Sequence, residues 1–590
     1  GYRSRELPVQ LTAGETEELT IRLAIGTSSL ETVVISASRR QEKVLDAPAS
    51  ISVLGPEELA RSVSTSTVEA LRLTPGVDMA QTGIDRREVV LRGFNEAFSS
   101  ATYVLTDYRE AAVPSLGVNL HSTMPNMSID VERVEVVRGP GSALYGPGVD
   151  SGVIHYFTKG PFDNPGTTVS IAGGQQSFLG AQGRHAGTLG EKLGYKVTGQ
   201  FARADEWELD PNNPQDAAEI EGYFTYDDPN DPGLDGRTFV TGDFDDDGDP
   251  DAQLRRENGY QKFNVNGLLQ YRISPRTTLS LNGGYAQLKG VVQSGIGTLQ
   301  ADGFGYSYGQ VRLRSGGLFA QVYLNTNQSG SDTYVYGSGD AVVDQGLQWN
   351  AQLQYDFLLN PINTQFIVGG DADLTRPRTE GEILGRNEDN DDINEYGAYA
   401  QSSTRLSPKL DLTLALRADY NNIVEKVQLS PRAAVVFKPV PQNTFRASYN
   451  RSFSSPGTNS NFLDIEARRT SVGGPFSFVL RGLGAAEGFT FNTFRQTGVV
   501  SSILPVPPSG VSPAPFEFGG PIPAEDVPLQ PFYNIALASL ATASPDDLPP
   551  PLNALSPAQF GALFTTLQQL GPNVGGTTSG QLGLPGSEEN

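Results

Sequence analysis

The 590-residue chain has no cysteine, which excludes a disulfide framework. Any zinc site would need distant acids and the three scattered histidines, His121, His155 and His185. No run of about 18 apolar residues occurs, so no helix can cross a bilayer; a soluble protein and a strand-built membrane protein both satisfy that condition. Base is short as well, with 43 Lys and Arg against 67 Asp and Glu, a net charge of −24. A phosphate backbone would be repelled, and nucleic acid is excluded as a partner. No Ser/His/Asp set can be argued, and Gly139 to Gly146 lacks the Gly-Lys-Ser/Thr ending of a phosphate loop, so nothing supports an enzyme. The first residues carry neither a basic start nor an apolar signal core, so a signal peptide or further amino-terminal sequence is expected upstream. Methionine is scarce at 3, whereas 66 glycines, 22 tyrosines and 28 phenylalanines suit aromatic-bordered strands with one polar face.

The most informative stretch is 131–159, VERVEVVRGPGSALYGPGVDSGVIHYFTK. A β-branched run (Val131, Val134, Val136, Val137) meets a turn punctuated by Gly139, Pro140, Gly141, Gly146, Pro147 and Gly148, and a second strand follows from Val153 to Phe157. An acidic-basic strand (Glu132, Arg133, Glu135, Arg138) running into GPGSALYG, with Tyr145 and Gly146 at its end, resembles the last part of the plug domain of TonB-dependent outer-membrane receptors. VVLRGFN, with Arg92 and Gly93, and TYVLTDYRE (Thr102 to Glu110) resemble other plug strands, although TDYR stands where many members have an Asp-Gly turn. Arg92, Arg138, Glu132 and Glu135 read as a solvated strand face, the wet surface that a movable plug needs.

Upstream, residues 1–25 resemble the tail of a carboxypeptidase-regulatory-like β-sandwich. The linker 26–39 holds Glu31, Thr32, Val33, Val34, Ile35, Ser36 and Ala37, which resemble the TonB box, an extended segment able to add to a partner's sheet edge. Residues 40–160 form the expected plug, with a helix from Pro56 to Arg61 and a second from Thr67 to Leu73 stopped by Thr74-Pro75-Gly76.

From 161 to 453 about thirteen strands of alternating pattern follow, from Thr167–Ala172 to Thr444–Phe453. Every second link is a tight turn (Gly190 to Gly194, Ile273 to Arg276, Ser315 to Gly317, Asn360 to Asn363, Ser407 to Lys409, Pro439 to Asn443), as short periplasmic turns require. Tyr271, Tyr285, Tyr323, Tyr355, Tyr399, Tyr420 and Tyr449 fit either interfacial girdles or core packing. Residues 454–590 read as a long Pro/Gly-rich extracellular loop whose one clear element is a helix from Pro557 to Leu570, apolar along Phe560, Leu563, Phe564, Leu567 and Leu570. The predicted fold is a transmembrane antiparallel β-barrel, incomplete in this chain, with an α+β plug inside; the resembled family has 22 strands, so the carboxy-terminal part of the barrel is expected to be missing.

One acidic loop stands out. Asp243, Asp245, Asp247, Gly248, Asp249 and Asp251 give D-x-D-x-D-G-x-x-D, oxygen ligands around a glycine turn that suit Ca²⁺, although Leu254 occupies the twelfth position. No haem-uptake signature with a histidine appears near Phe453-Ser454-Ser455-Pro456. The resemblance implies active import of a scarce nutrient, a ferric siderophore or cobalamin, across the bacterial outer membrane. It further implies TonB, ExbB and ExbD as partners, outer-membrane lipid around the barrel, and plug and box facing the periplasm. The alternatives are a calcium-binding surface adhesin and, within the family, an oligosaccharide or peptide importer.

Overall fold

A computed structural model describes residues 33–484 apart from 37–38, 40, 63, 65, 93–94, 96–101, 227–236, 245–249, 295–296, 331, 441–442, 456 and 472–476, together with 560, 561 and 565. Residues 1–25, Glu31, Thr32, Ala37, Gly93, Asp245, Asp247, Asp249 and most of the helix expected at Pro557 to Leu570 therefore lie outside the described residues.

Residues 42–158 fold as an α+β unit. Its central sheet runs in the order Ser50–Leu54, Val131–Arg138, Gly152–Thr158, Thr102–Thr106, Arg109–Glu110, with only the Thr102–Thr106 and Gly152–Thr158 pair parallel. The β-branched positions of these strands bury Val104, Val134, Val136 and Ile154 against Leu71, Leu91 and Met124, which gives the unit an apolar core of its own. The helix Pro56–Arg61 forms as expected, with proline in its first turn and the Glu58 carboxylate accepting the Gly55 N–H at 3.1 Å. At Thr67–Leu71 a 3-10 helix replaces the expected second helix. The glycine-rich link of 139–148 contains a four-residue helix, Ser142–Tyr145.

Around this unit runs a 14-stranded antiparallel sheet, thirteen strands in strict sequence order from Gly166–Gly173 to Asn443–Asn450 with the short strand Tyr334–Val335 added to one of them. Each of the thirteen overlaps a strand expected from alternation, and every second link is a tight turn as expected, although the opposite link between Ser294 and Gly297 is equally short. Among the described residues the sheet does not close on itself. Its side-chain pattern is the reverse of a soluble sheet. Val197, Phe263, Leu353 and Leu416 stand exposed on the convex face, while Gln200, Asn264, Gln354 and Arg417 are buried on the concave one. A surface that meets acyl chains outside and polar groups inside requires this order. Tyr271, Tyr355, Tyr420 and Tyr449 are outward and exposed, Tyr323 and Tyr399 buried inward, and Tyr285 half-buried, so the tyrosines divide between both readings.

Three features depart from expectation, all at the long-loop end. The strands Thr277–Ser294 and Gly297–Ser315, of 18 and 19 residues, continue through a stretch expected to be loop and rise well beyond the roughly 10 residues that a bilayer needs. Glycines and polar residues there (Lys289, Gly290, Gln293, Asp302, Gly303) hide the strand pattern. A helix, Pro214–Glu221, and a three-stranded sheet of Thr225–Tyr226, Asp251–Leu254 and Phe239–Gly242 occupy the region expected to be an open acidic loop. A short helix, Thr458–Phe462, and paired strands Asp464–Ser471 and Ser477–Leu483 stand where only loop was expected, short elements masked by the Pro/Gly-rich composition of the surrounding segment.

Because the inner unit has its own apolar core, Leu71→Ala should destabilise it by about 2–5 kcal/mol. In denaturant titration a reporter in the inner unit should lose its signal at lower concentration while the β-sheet signature of the wall keeps its midpoint. A joint shift of both would show that the two share one cooperative core.

Candidate functional site

The inner unit sits against the concave face and is gripped largely by polar groups, with an apolar contact at the long-loop end, where Val113, Val118 and Leu120 pack with Tyr260, Leu288 and Phe304 of the wall. Asp130 accepts from Arg184 Nε at 2.9 Å and Lys196 Nζ at 2.7 Å. Asp85 accepts from Tyr260 Oη at 2.7 Å and Lys262 Nζ at 3.0 Å. Arg109 donates to Tyr306 Oη at 2.5 Å and Asn325 Oδ1 at 2.9 Å, its guanidinium 3.7 Å over the Tyr308 ring. Across the remaining strands, Gln310 and Arg312 donate to the Asp107 carbonyl, and Arg432 and Arg446 to those of Pro48 and Ala49. Gln348 donates to both Glu110 Oε2 at 3.2 Å and Asp373 Oδ2 at 2.9 Å, and burial, with Asp373 close by, pushes the Glu110 carboxyl up to about 8. Buried ion pairs of this kind fix register and add little net stability, since water can satisfy the same groups once they part.

At the short-turn end the segment following position 32 is tied under the sheet of the inner unit. Val33–Val34 pairs with Glu42–Lys43, and Val34 is fully buried beside Ala47. The next two backbone N–H groups, of Ile35 and Ser36, donate to Glu135 Oε2 at 2.9 and 2.8 Å. Glu135 has no solvent exposure; its other oxygen accepts from Arg133 Nε at 3.0 Å, and that guanidinium lies 3.9 Å over the Phe157 ring. This corrects the solvated-face reading for Glu135, because a segment 100 residues away covers the strand. Tyr145 Oη donates to the Ser36 carbonyl at 2.8 Å. His155 Nε2 accepts the Tyr108 N–H at 3.1 Å, so Nδ1 carries the ring proton and donates to Ser36 Oγ at 3.0 Å. Burial and the nearby Arg133, Arg312 and Arg314 hold this imidazole well below its ordinary 6.5. Arg39 then reaches the wall, donating to Tyr399 Oη at 2.8 Å with its guanidinium 4.6 Å over the Tyr145 ring.

The other motif residues hold the turn. Arg138 donates to the Pro75 carbonyl at 2.5 Å, to Ser50 Oγ at 3.1 Å and to Ser52 Oγ. Arg92, at φ +67°, is exposed and lies beside Gly139. Gly146 has φ +95°, and a Cβ there would come within 2.8 Å of Arg417 Nη2, so glycine lets the wall arginine pass. Glu132 and Pro140 are half-buried. Of the acidic loop, Asp243 and Asp251 are described; Asp251 is buried in a strand and accepts the Phe244 N–H at 2.9 Å. Among the described residues no group of three or more His, Asp or Glu gathers to hold a metal ion.

Two cavities flank the inner unit. One of about 460 Å³ opens at the short-turn end beside Ile35 and Arg39, walled by Tyr103, Tyr108, Arg314 and Gln352. The other, about 370 Å³, lies at the long-loop end between the loop 113–120 and the protruding hairpin. Sequence reasoning missed Arg39, Asp85, Arg109, Asp130 and His155 as contact residues; the available signal was Arg184, Lys196, Lys262 and Arg417 in the inward phase of their strands, each needing a buried partner.

A polar-lined, apolar-skinned wall around a separately folded stopper defines a plugged outer-membrane β-barrel. Residues 43–153 match the TonB-dependent receptor plug domain, and residues 193–493 match the TonB-dependent receptor-like β-barrel. The chain belongs to the TonB-dependent receptor family, whose members are outer-membrane β-barrels and not enzymes. It is 30% identical over 155 residues to the vitamin B12 transporter BtuB of Vibrio vulnificus, covering 25% of this chain and 24% of that protein. Among solved structures it resembles a mutant of the ferric enterobactin receptor PfeA of Pseudomonas aeruginosa (TM-score 0.53, 18% identity, 74% of this chain and 66% of that one). It also resembles the alcaligin receptor FauA of Bordetella pertussis (TM-score 0.51, 13% identity, 73% and 66%). These two likenesses are of fold, and the chain spans less than two thirds of each of these relatives' own length.

Glu135→Ala should leave the Ile35 and Ser36 N–H groups without acceptors, at about 1–3 kcal/mol each. With no native cysteine, a nitroxide on Val33→Cys, a half-exposed position, reports the segment alone. It should be immobile at neutral pH and mobile in the Glu135→Ala background. Because the His155 value in the folded protein lies below its ordinary 6.5, the contact is intact above about pH 6.5 and weakens as pH falls further. The mobile fraction should therefore grow on acidification, and His155→Phe should abolish that pH dependence; a label equally immobile in all three would contradict the assignment.

Proposed function

We propose that this chain is the plug and part of the barrel of a receptor that imports a scarce nutrient, a ferric siderophore or cobalamin, by TonB-dependent active transport. The observation that carries the reading is the tethered segment Val33 to Ser36. An extended strand held by a two-residue ladder and four hydrogen bonds at Ile35 and Ser36 can be withdrawn and re-paired at another protein's sheet edge. In this reading the short-turn end faces the periplasm, the box from Glu31 to Ala37 is drawn out by TonB with ExbB and ExbD, and the pull is transmitted through Glu135 into the sheet of the plug. The largely polar seam supports it, because a plug held mostly by exchangeable hydrogen bonds can shift where a continuous apolar interface would resist; the apolar cluster shared with the wall lies at Val113 to Leu120, at the long-loop end. The named cargo of the B12 transporter and the siderophore receptors that the chain resembles points to the same substrate classes.

In-frame deletion of residues 31–37 from the full-length receptor should abolish energised uptake while leaving cargo binding at the cell surface intact. Uptake that survives the deletion would overturn the reading. Retained adhesion with no nutrient phenotype would favour a surface adhesin, and a growth defect confined to sugar or peptide sources would favour an oligosaccharide or peptide importer.

A further inference from the structure

The outer cavity carries chemistry that narrows the cargo. Resting on the import reading above, we infer that it receives the uncharged, aliphatic face of its cargo, of the class of a neutral ferric trihydroxamate or cobalamin, and not a trianionic ferric tris-catecholate.

The cavity lies where two apolar clusters meet. Val113, Val118, Leu120, Leu288 and Val292 belong to one, Val342, Ile383 and Ile465 to the other, and Leu299 packs against both. Among the described residues no lysine or arginine lines it, and the one charged residue that does is an acid, Asp344. Asp344 is buried with Oδ1 accepting from Asn327 Nδ2 at 3.1 Å, and burial pushes its carboxyl up to about 6, so the described lining holds no countercharge for an anion. Two nearby cations, Lys289 next to the lining Leu288 and Arg386 three residues from the lining Ile383, are already engaged. Lys289 pairs with Asp302 at 2.8 Å and Glu257 at 3.5 Å, and Arg386 with Asp464 at 2.9 Å. A multiply charged anion entering would lose its hydration and meet mostly apolar carbon, a carboxyl and a few neutral polar groups (Ser294, Ser329, Asn459, Ser460), whereas an apolar surface displaces water that has few partners there. Seating cargo on Val113 to Leu120 also places it directly on the plug, whose following residues share the seam with the wall.

The test is binding to the full-length receptor in lipid nanodiscs by titration calorimetry, with three probes: cyanocobalamin, an acylated neutral ferric trihydroxamate, and a trianionic ferric tris-catecholate. At least one neutral probe should bind tenfold or more tightly than the trianion, a gap of about 1.4 kcal/mol or more. Leu116→Glu, at a half-buried position on the plug side, should weaken that neutral probe at least tenfold, while Leu116→Met should leave it within about twofold. An unchanged melting temperature in both variants separates lost binding from lost folding; if Leu116→Glu fails to fold, Leu299→Ala serves in its place with a smaller loss expected. Tighter binding of the trianion, or binding of neither neutral probe, would overturn this inference. The import reading would stand in either case as long as deletion of residues 31–37 still abolishes uptake, and would fall with it if that deletion has no effect.

Discussion

The arrangement depends on one constraint: the wall gives its convex face mainly to apolar side chains, so the charged and amide side chains in the opposite phase of its strands point inward and must be satisfied there. Lys196, Lys262 and Arg417 are each buried, and each would be intolerable without a partner. Asp130 and Asp85 of the plug answer the two lysines, and Asp371 and Asp419 of the wall answer the arginine. The plug is thus part of the electrostatic completion of the barrel. Its apolar core keeps it folded, and its polar skin keeps it seated.

That division of labour has a mechanical consequence. A core of Leu71, Leu91, Val134 and Ile154 moves as a body, whereas ion pairs and carbonyl contacts at the seam can be exchanged for water one at a time. The segment at Val33 to Ser36 joins the plug through Glu135, on the strand at the heart of the sheet, and reaches the wall through Arg39 and Tyr399. A pull on that segment acts first on the residues that bind plug and wall together.

Much of this was legible in the sequence, for physical reasons. Alternation revealed all thirteen main strands because an apolar skin and a polar lumen impose period two on every one, and the plug motif around Gly139 to Gly146 marked the inner unit. The rest was hidden by distance. Glu135 looks solvated on its own strand and is buried only because residues 35 and 36 return to it. His155 carries no local signal of the tautomer that Tyr108 and Ser36 impose. The extension of Thr277 to Ser315 was lost among glycines and charges, and of the five acids in the Asp243 to Asp251 motif only the first and last are described, the last of them bracing a hairpin.

The inside-out wall is the claim on which everything else rests, and spin labels placed singly along Gln345 to Leu359 test it most directly. In membranes, labels at Trp349, Leu353, Tyr355 and Phe357 should be open to oxygen dissolved in lipid and shielded from a water-soluble nickel relaxant. Labels at Gln348, Gln352 and Gln354 should show neither strong lipid exposure nor free motion. Loss of this period-two alternation, or oxygen access greatest at the glutamines, would contradict a lipid-facing barrel with a plug against its inner face.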